Sequence, residues 1–511
     1  MNPSRTVLHG YSPLSAVTIL ARVRSGESLT KLPGDFILIH EESDAGERSV
    51  LLGSSVLSAL PYFYYVSSDR RCFWHGSNVF DCIQQLGLTW NWNERAVVSL
   101  ALFQHTLNDD TLHPDIRRVP PASILQFRPG HFEVRSSTPA RSTDGDDERF
   151  DAALAVRSFN RITGEIVADK ETAISLSAGY DSRLLLSSAL RDGHKPYVAT
   201  MGSAKSTDVR VASAIAKTFS LEHNVVELSA ADYFRHARSI VNLTNGTKTA
   251  DHWHTYLFIR NAEFPAGSVH LTGANGELAR TYYFDKGELA LLCARAPIAL
   301  AAVLMRLKNR ATKRIPLRNP QGILGDRHIV NDVFKQVAEC LAFGKGWLDS
   351  LDYFYAYQRV RHFIGNGLAL YNAIIPTRSP FLDSRFLATA SGMPRSWKLC
   401  SRFHRFAILA NEPRLGDFPV DDSDTPMRQI GKPLYWLRRR RFVGYEAFAQ
   451  VASSAEARAV IVDSPHLDRF LDRSSREEVI EKKVLSLAGL LITLHFACEE
   501  IRSCSAFKPS G

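Results

Sequence analysis

The order of elements between residues 171 and 273 constrains this chain more than anything else in it. A short apolar run, TAISL, leads into the small-residue loop SAGYDS and then into RLLLSSALRDG, whose apolar positions recur at helical spacing and stop near Gly193. YVATMG, DVRVASAIAKTF, HNVVEL and SVHLTG continue as strand, helix, strand and strand. Strands that alternate with helices of about 12 residues predict βαβ units and a parallel sheet.

Residues 33 to 135 follow a different rule. DFILIH, SVLLGS, YFYYVS, CFWHGS and SILQFRPGHFEV are short β-branched and aromatic runs broken by Gly, Pro, Ser or Asp, the pattern of an antiparallel sheet. The polar stretch from Ser136 to Asp147, with Pro and Gly and no apolar periodicity, reads as a linker. A chain of 511 residues is too long for one common-sized core. Two domains are therefore expected, residues 1 to 140 and 150 to 511. Beyond residue 290 the sequence is mostly amphipathic helix, and the apolar runs Ala296 to Met305 and Val484 to Cys498 read as buried helices.

A net charge of +9 favours an anionic ligand, but the basic residues are dispersed, and the one dense run, Arg438 to Arg441, reads as a solvated helix face. Nucleic acid is not expected as a partner. Seven cysteines without CxxC spacing indicate neither a zinc knot nor a disulfide framework, and no apolar stretch reaches the roughly 18 residues that span a bilayer. The N-terminal residues lack a signal-peptide pattern, so a cytoplasmic location away from membranes is expected, in which the sequons at Asn242 and Asn245 carry no meaning.

The loop Ser177 to Ser182 lies between a buried strand and a helix N-terminus, where free N–H groups and the helix dipole favour an anion. Small residues let the backbone wrap a phosphate, the hydroxyls of Ser177 and Ser182 can donate to it, and Asp181 can hold Mg²⁺. The Walker pattern is absent. On its own such a loop is either a phosphate site or a tight βα turn.

Four ordered segments carry a resemblance. SLSAGYDSRLL is similar to the SGGxDS pyrophosphate loop of the asparagine synthetase family. TMGSAKSTDVRVASAIAKTFSLEHNVVEL resembles its second strand and helix, LTGANGELARTYY its GxGxDE-type loop, and RSPFLDSRFLATASGMP its R-x-P-F-L-D segment. LPGDFILIH and IRRVPPASILQF are more weakly similar to the family's glutamine amidotransferase domain. The resemblance implies an α/β fold: a parallel-sheet ATP-pyrophosphatase domain preceded by a degenerate, β-rich amidotransferase-like domain of the N-terminal nucleophile type. It also implies ATP and Mg²⁺, with Asp181 and Glu277 on the metal, and Ser177, Gly179 and Ser182 around pyrophosphate. Leu176, Met201 and Gly273 would line the adenine and ribose pocket, and Lys432 would be the lysine that stabilises charge during adenylation.

The chain departs from that pattern in three places. Asn2 stands where the amidotransferase cysteine would follow Met, so glutamine hydrolysis is expected to be lost. Ala178 replaces a loop glycine, at a cost of about 1 kcal/mol if the position needs positive φ. Ala274 replaces the glutamate that asparagine synthetases use on the incoming amine. The implied reaction activates a carboxylate as its adenylate, releasing pyrophosphate, for attack by ammonia or an amine that a partner enzyme could deliver; a homo-oligomer is a further possibility. The alternatives are intramolecular amide formation, as in the similar β-lactam synthetases and lasso-peptide cyclases, and an inactive homologue. Asp251-His252-Trp253-His254 reads as an ordinary loop or helix start rather than a ligand set, Tyr353, Phe354 and Tyr357 as helix packing, and His223 as structural.

Overall fold

The computed structural model describes residues 4–44, 47–137, 150–280, 282–283, 296–317, 320–342, 347–420, 426–429 and 443–506. Asn2, most of the expected linker, Cys293, Lys432 and Arg438 to Arg441 lie outside the described residues.

The N-terminal strands are β1 (Ser4–Tyr11), β2 (Asp35–Asp44), β3 (Glu47–Ser54), β4 (Phe63–Val66), β5 (Phe73–Gly76), β6 (Ile116–Arg118), β7 (Ser123–Arg128) and β8 (His131–Ser136). They form two antiparallel sheets, of order β1-β2-β3-β7-β8 and β5-β4-β6. The continuous apolar run of β2 has a simple cause, because successive strand side chains point to opposite faces. Ile37 and Ile39 pack with Tyr62, Phe73 and Phe127 between the sheets, while Phe36 and Leu38 pack with Ile19, Leu20 and Val23 of the helix Ala16–Arg24. Both faces of β2 are buried, so no polar alternation survives.

A second, parallel sheet contains β9 (Thr172–Ser175), β10 (Tyr197–Met201), β11 (His223–Val226), β12 (Val269–Leu271) and β13 (Thr377–Arg378), in the order β11-β10-β9-β12-β13. The chain runs outward from β9 through β10 to β11, then returns to the other side of β9 with β12. Between β9 and β12 the order reverses, and in sheets of this kind ligands bind beyond the strand C-termini at that reversal. The expected βαβ pattern is present, and β13 adds a strand that the short R-x-P-F-L-D segment had not suggested.

The two halves share apolar packing. Phe80 and the helix Glu94–Phe103, with Val97, Leu100 and Phe103, belong to the same buried cluster as Trp253, Leu257, Phe334, Leu490 and Leu494. A polar latch adds to it: Asp383 caps the helix Ser384–Ser391 through Arg385 N and accepts a 3.0 Å hydrogen bond from Gly34 N. The C-terminal run is two helices, Arg473–Glu481 and Leu485–Ala506, broken where Lys483 takes φ of 52°. The expectation of a buried helix holds from Leu487 to Ala497 but only in part at Ala296–Thr312, where Ala299, Val303 and Leu307 are buried while Ile298 and Met305 are exposed. Among the described residues, no helix is long and apolar enough to cross a membrane, and the six cysteines are free.

Among the described residues burial holds twelve imidazoles below their ordinary value, His105, His254 and His270 at about 3, with His252, His362 and His404 among the others lowered. Between pH 6.5 and their folded values the unfolded chain binds the extra protons, so stability rises with pH, by about 1.4 kcal/mol per unit for each fully differing group. Burial raises the carboxyls of Asp35, Asp81 and Asp251, the last to about 6, which opposes this trend. The lowered imidazoles outnumber the raised carboxyls. The melting temperature is expected to fall as pH is lowered from 7 to 5; an unchanged or rising value would refute this account.

Candidate functional site

The site is built at the reversal between β9 and β12. β9 ends at Ser175, and its continuation stays tied to the sheet: Leu176 N donates to Ala199 O at 2.9 Å, and Thr200 Oγ1 donates to Leu176 O at 2.9 Å. The chain then turns through Ser177 and Ala178 into the helix Tyr180–Arg191, with Gly179 as its N-cap at φ of −76°. Ala178 is not among the described residues of positive φ, so the strain expected from replacing glycine there does not arise.

Within this loop the polar groups satisfy one another. Ser182 Oγ accepts from Ser177 N at 3.1 Å and lies 3.1 Å from Ser177 Oγ, which accepts from Gly179 N at 3.2 Å. Ala178 N donates to Asp208 Oδ1 at 2.8 Å, in the first turn of the helix Thr207–Phe219. Arg183, fully buried, donates to Ala178 O at 3.0 Å and to Pro419 O at 2.6 Å, fastening the loop to the segment after residue 415. Each such charge-assisted bond contributes about 1.5–3 kcal/mol.

From β12, the segment Thr272 to Glu277 approaches the loop directly. A Cβ on Gly273 would stand 2.8 Å from Ser182 N, and one on Gly276 would stand 2.2 Å from Asp181 Oδ1. Only hydrogen fits at either position. Between them Asn275 is fully buried at φ of 83°, and its side-chain amide has no hydrogen-bond partner among the described residues. An amide buried in this way costs about 1–3 kcal/mol.

Asp181 and Glu277 therefore come together, as their proposed shared role requires, but a guanidinium stands with them. Arg280 donates through Nη2 to Asp181 Oδ2, and the same nitrogen lies 3.8 Å from Glu277 Oε1. Tyr355 donates to Glu277 Oε2 at 3.1 Å, and burial together with that carboxylate raises its phenol well above the usual range, so it remains a donor. His404 Nε2 stands 3.0 Å from Asp181 Oδ1, a close contact poorly aligned as a hydrogen bond. Burial lowers the His404 pKa, leaving a largely neutral ring at pH 7.

The expected Mg²⁺ finds a poor fit here. An octahedral cation needs oxygen ligands at about 2.1 Å, and Arg280 already bridges the two carboxylates. Among the described residues no three His, Cys, Asp or Glu side chains form a metal-binding group, Asp251, His252 and His254 included.

Beyond Glu277 and Arg280 opens a cavity of about 290 Å³. Tyr353, Tyr355, Tyr357 and Leu387 give it an apolar wall, and Val56 and Leu57 of the N-terminal half complete that wall. Lys398 and Asp352 also line it, and Asp352 pairs with Lys398 at 2.9 Å and with Arg395 at 2.8 Å. Tyr353 and Tyr357, expected only to pack, thus also face a cavity. His223 is structural as expected, its Nε2 lying 2.9 Å from Thr200 Oγ1 on the next strand.

Of the residues expected at the site, Asp181, Ser177, Gly179, Ser182, Gly273 and Glu277 are assembled, and Leu176 and Met201 lie at the C-terminal ends of β9 and β10. Arg280, Asp208, Arg183, Tyr355 and His404 were missed. Arg280 follows Glu277 by three residues, a spacing that a tight turn brings to one side; His404 has no comparable sequence signal.

Residues 162–327 match the asparagine synthase family model. Three curated relatives, one from Mycobacterium bovis and two from strains of Mycobacterium tuberculosis, are each described as "putative asparagine synthetase, glutamine-hydrolyzing". Each is 23% identical over 179 residues, which is 33% of this chain and 26% of the relative. The chain thus carries an asparagine synthase-type domain, and the resemblance read from the loop motifs is shown at the level of the family. The match spans about a quarter of those relatives' length.

Gly276→Ala is expected to destabilise the protein by about 1–3 kcal/mol, the range for overpacking a filled site, because the new methyl collides with the Asp181 side chain. Chemical denaturation would measure it; a wild-type midpoint would show that the two segments do not meet this closely.

Proposed function

We propose that this protein is an ATP-dependent amide-forming ligase. The observation that carries the reading is the assembly, at the sheet's reversal, of a small-residue loop at a helix N-terminus with the Gly273 to Glu277 segment, within a domain matching the asparagine synthase family. In this reading the loop from Ser177 to Ser182 exchanges its internal hydrogen bonds for bonds to the nucleotide phosphates. Leu176, Met201 and Gly273 flank the adenosine, and the unmet amide of Asn275 gains a partner.

The acid enters from the cavity beside Glu277. One of its oxygens attacks the α-phosphorus, the bond from that phosphorus to the bridging oxygen breaks, and pyrophosphate leaves with the electron pair. The amine then attacks the acyl carbon, loses a proton, and expels AMP. Lys432 is assigned to charge stabilisation by the family resemblance alone. The apolar wall of tyrosines and leucine favours an acid with an aromatic or aliphatic body.

The products test the reading. Labelled ATP incubated with pools of aromatic and aliphatic amino acids plus ammonium is expected to yield AMP and pyrophosphate, and radiolabelled pyrophosphate should exchange into ATP with the active acid alone. Formation of ADP and phosphate would overturn the proposed chemistry.

The amine is assigned to ammonia or to an amine carried by another molecule. Burial pushes the Cys82 thiol up to about 12, which leaves it a poor nucleophile. Glutamate release from glutamine, if any, is expected to be insensitive to iodoacetamide; an alkylation-sensitive glutaminase would refute this assignment.

A further inference from the structure

We propose that Arg280 is the resident counter-charge of the site, occupying the seat between Asp181 and Glu277 that a divalent cation would need, so that nucleotide phosphates are gripped by the chain's own guanidinium. The inference builds on the nucleotide reading but starts from geometry that is independent of it. Asp181 is enclosed on both oxygens: Arg280 takes Oδ2, while the Gly276 backbone and the His404 ring crowd Oδ1. Glu277 is held by Tyr355 on Oε2 and faces Arg280 with Oε1. A cation placed between the carboxylates would meet the guanidinium head-on, and like charges exclude each other from such a seat.

Arg280 is suited to the alternative task. Its guanidinium offers five N–H donors in a planar fork that matches phosphate oxygens, and it keeps its charge across the working pH range. It follows the turn Gly276–Ala279, whose glycine packs against Asp181, so its backbone is fixed beside the phosphate loop. Its side chain is one-quarter exposed, accessible to an incoming anion. A phosphate arriving over the loop can take donors from Arg280 while Asp181 keeps one, with no metal required to balance the charge.

Manganese binding to the full-length protein without nucleotide, read by electron paramagnetic resonance, tests the seat directly. Wild type is expected to bind Mn²⁺ weakly. Arg280→Gln should bind it about tenfold tighter or more, as expected when a like charge leaves, and Arg280→Lys should stay weak. Adding Glu277→Gln to Arg280→Gln should remove the gained site, and thermal melts of all variants establish that they are folded. Tight Mn²⁺ binding by wild type, or none gained by folded Arg280→Gln, would overturn the proposal.

A calorimetric titration with ATP supplies the second arm. In EDTA, wild type is expected to bind ATP within about threefold of its affinity in Mg²⁺, whereas Arg280→Gln should lose about tenfold or more in EDTA, the scale of one charge-assisted phosphate contact. A wild type that binds ATP only with Mg²⁺ also overturns the proposal. Failure of wild type to bind ATP in either buffer overturns the nucleotide reading instead, and the manganese comparison still decides what occupies the seat.

Discussion

The carboxylate of Asp181 is the charge around which this part of the molecule is arranged. It sits in the first turn of the helix Tyr180–Arg191, where the unpaired N–H groups and the helix dipole favour a negative group. Because the carboxylate is less than one-fifth exposed, its charge needs close partners, and Arg280 is drawn in from the β12 segment to meet it. That pairing requires the β12 segment to pass very near the loop, which only glycine at 273 and 276 permits. The backbone geometry of two separate loops is thus tied to one ion pair.

The same economy appears in the loop itself. Its serines and glycine bond one another at distances near 3 Å, and Asp208 and Arg183 clamp Ala178 from its N–H and its carbonyl. Such a loop is preorganised: its donors are already directed by the sheet and helix on either side, and an anion bound there would replace internal partners rather than order a floppy chain. The buried amide of Asn275 shows the other side of that arrangement, a group whose hydrogen-bonding capacity is unmet by its neighbours.

How much of this was legible in the sequence follows from the range of the forces involved. The alternation of TAISL, SAGYDS and RLLLSSALRDG reflects local periodicity, so the parallel sheet and the helix over RLLLSSALRDG could be read directly, although that helix begins at Tyr180, within the segment read as loop. β1 could not, because Ser4–Tyr11 lies at a sheet edge, half-exposed, with polar residues on both faces. β13 is only two residues long and gains its identity from pairing with β12, more than 100 residues earlier in the chain. At the site, Asp181 and Glu277 were recognisable from motif residues, whereas His404 reaches Asp181 through the packing of the helix Arg402–Asn411 against Tyr180–Arg191, a contact no local pattern encodes. Arg280 was passed over for the same reason, since in a tight turn it looks like any surface arginine until the fold places it between two acids.

The apolar cluster that joins Phe80, Val97 and Phe103 to Trp253, Phe334 and Leu490 has a consequence for how such a chain can change over generations. A module that merely sits beside its neighbour is free to shrink or vanish. Here residues of the N-terminal half share one buried apolar cluster with their neighbour, and Val56 and Leu57 form part of the cavity wall beside Glu277. Removing that half would leave a large hydrophobic face bare to water and open the cavity beside Glu277 on one side. Selection on the C-terminal half alone would then preserve the N-terminal half as scaffolding.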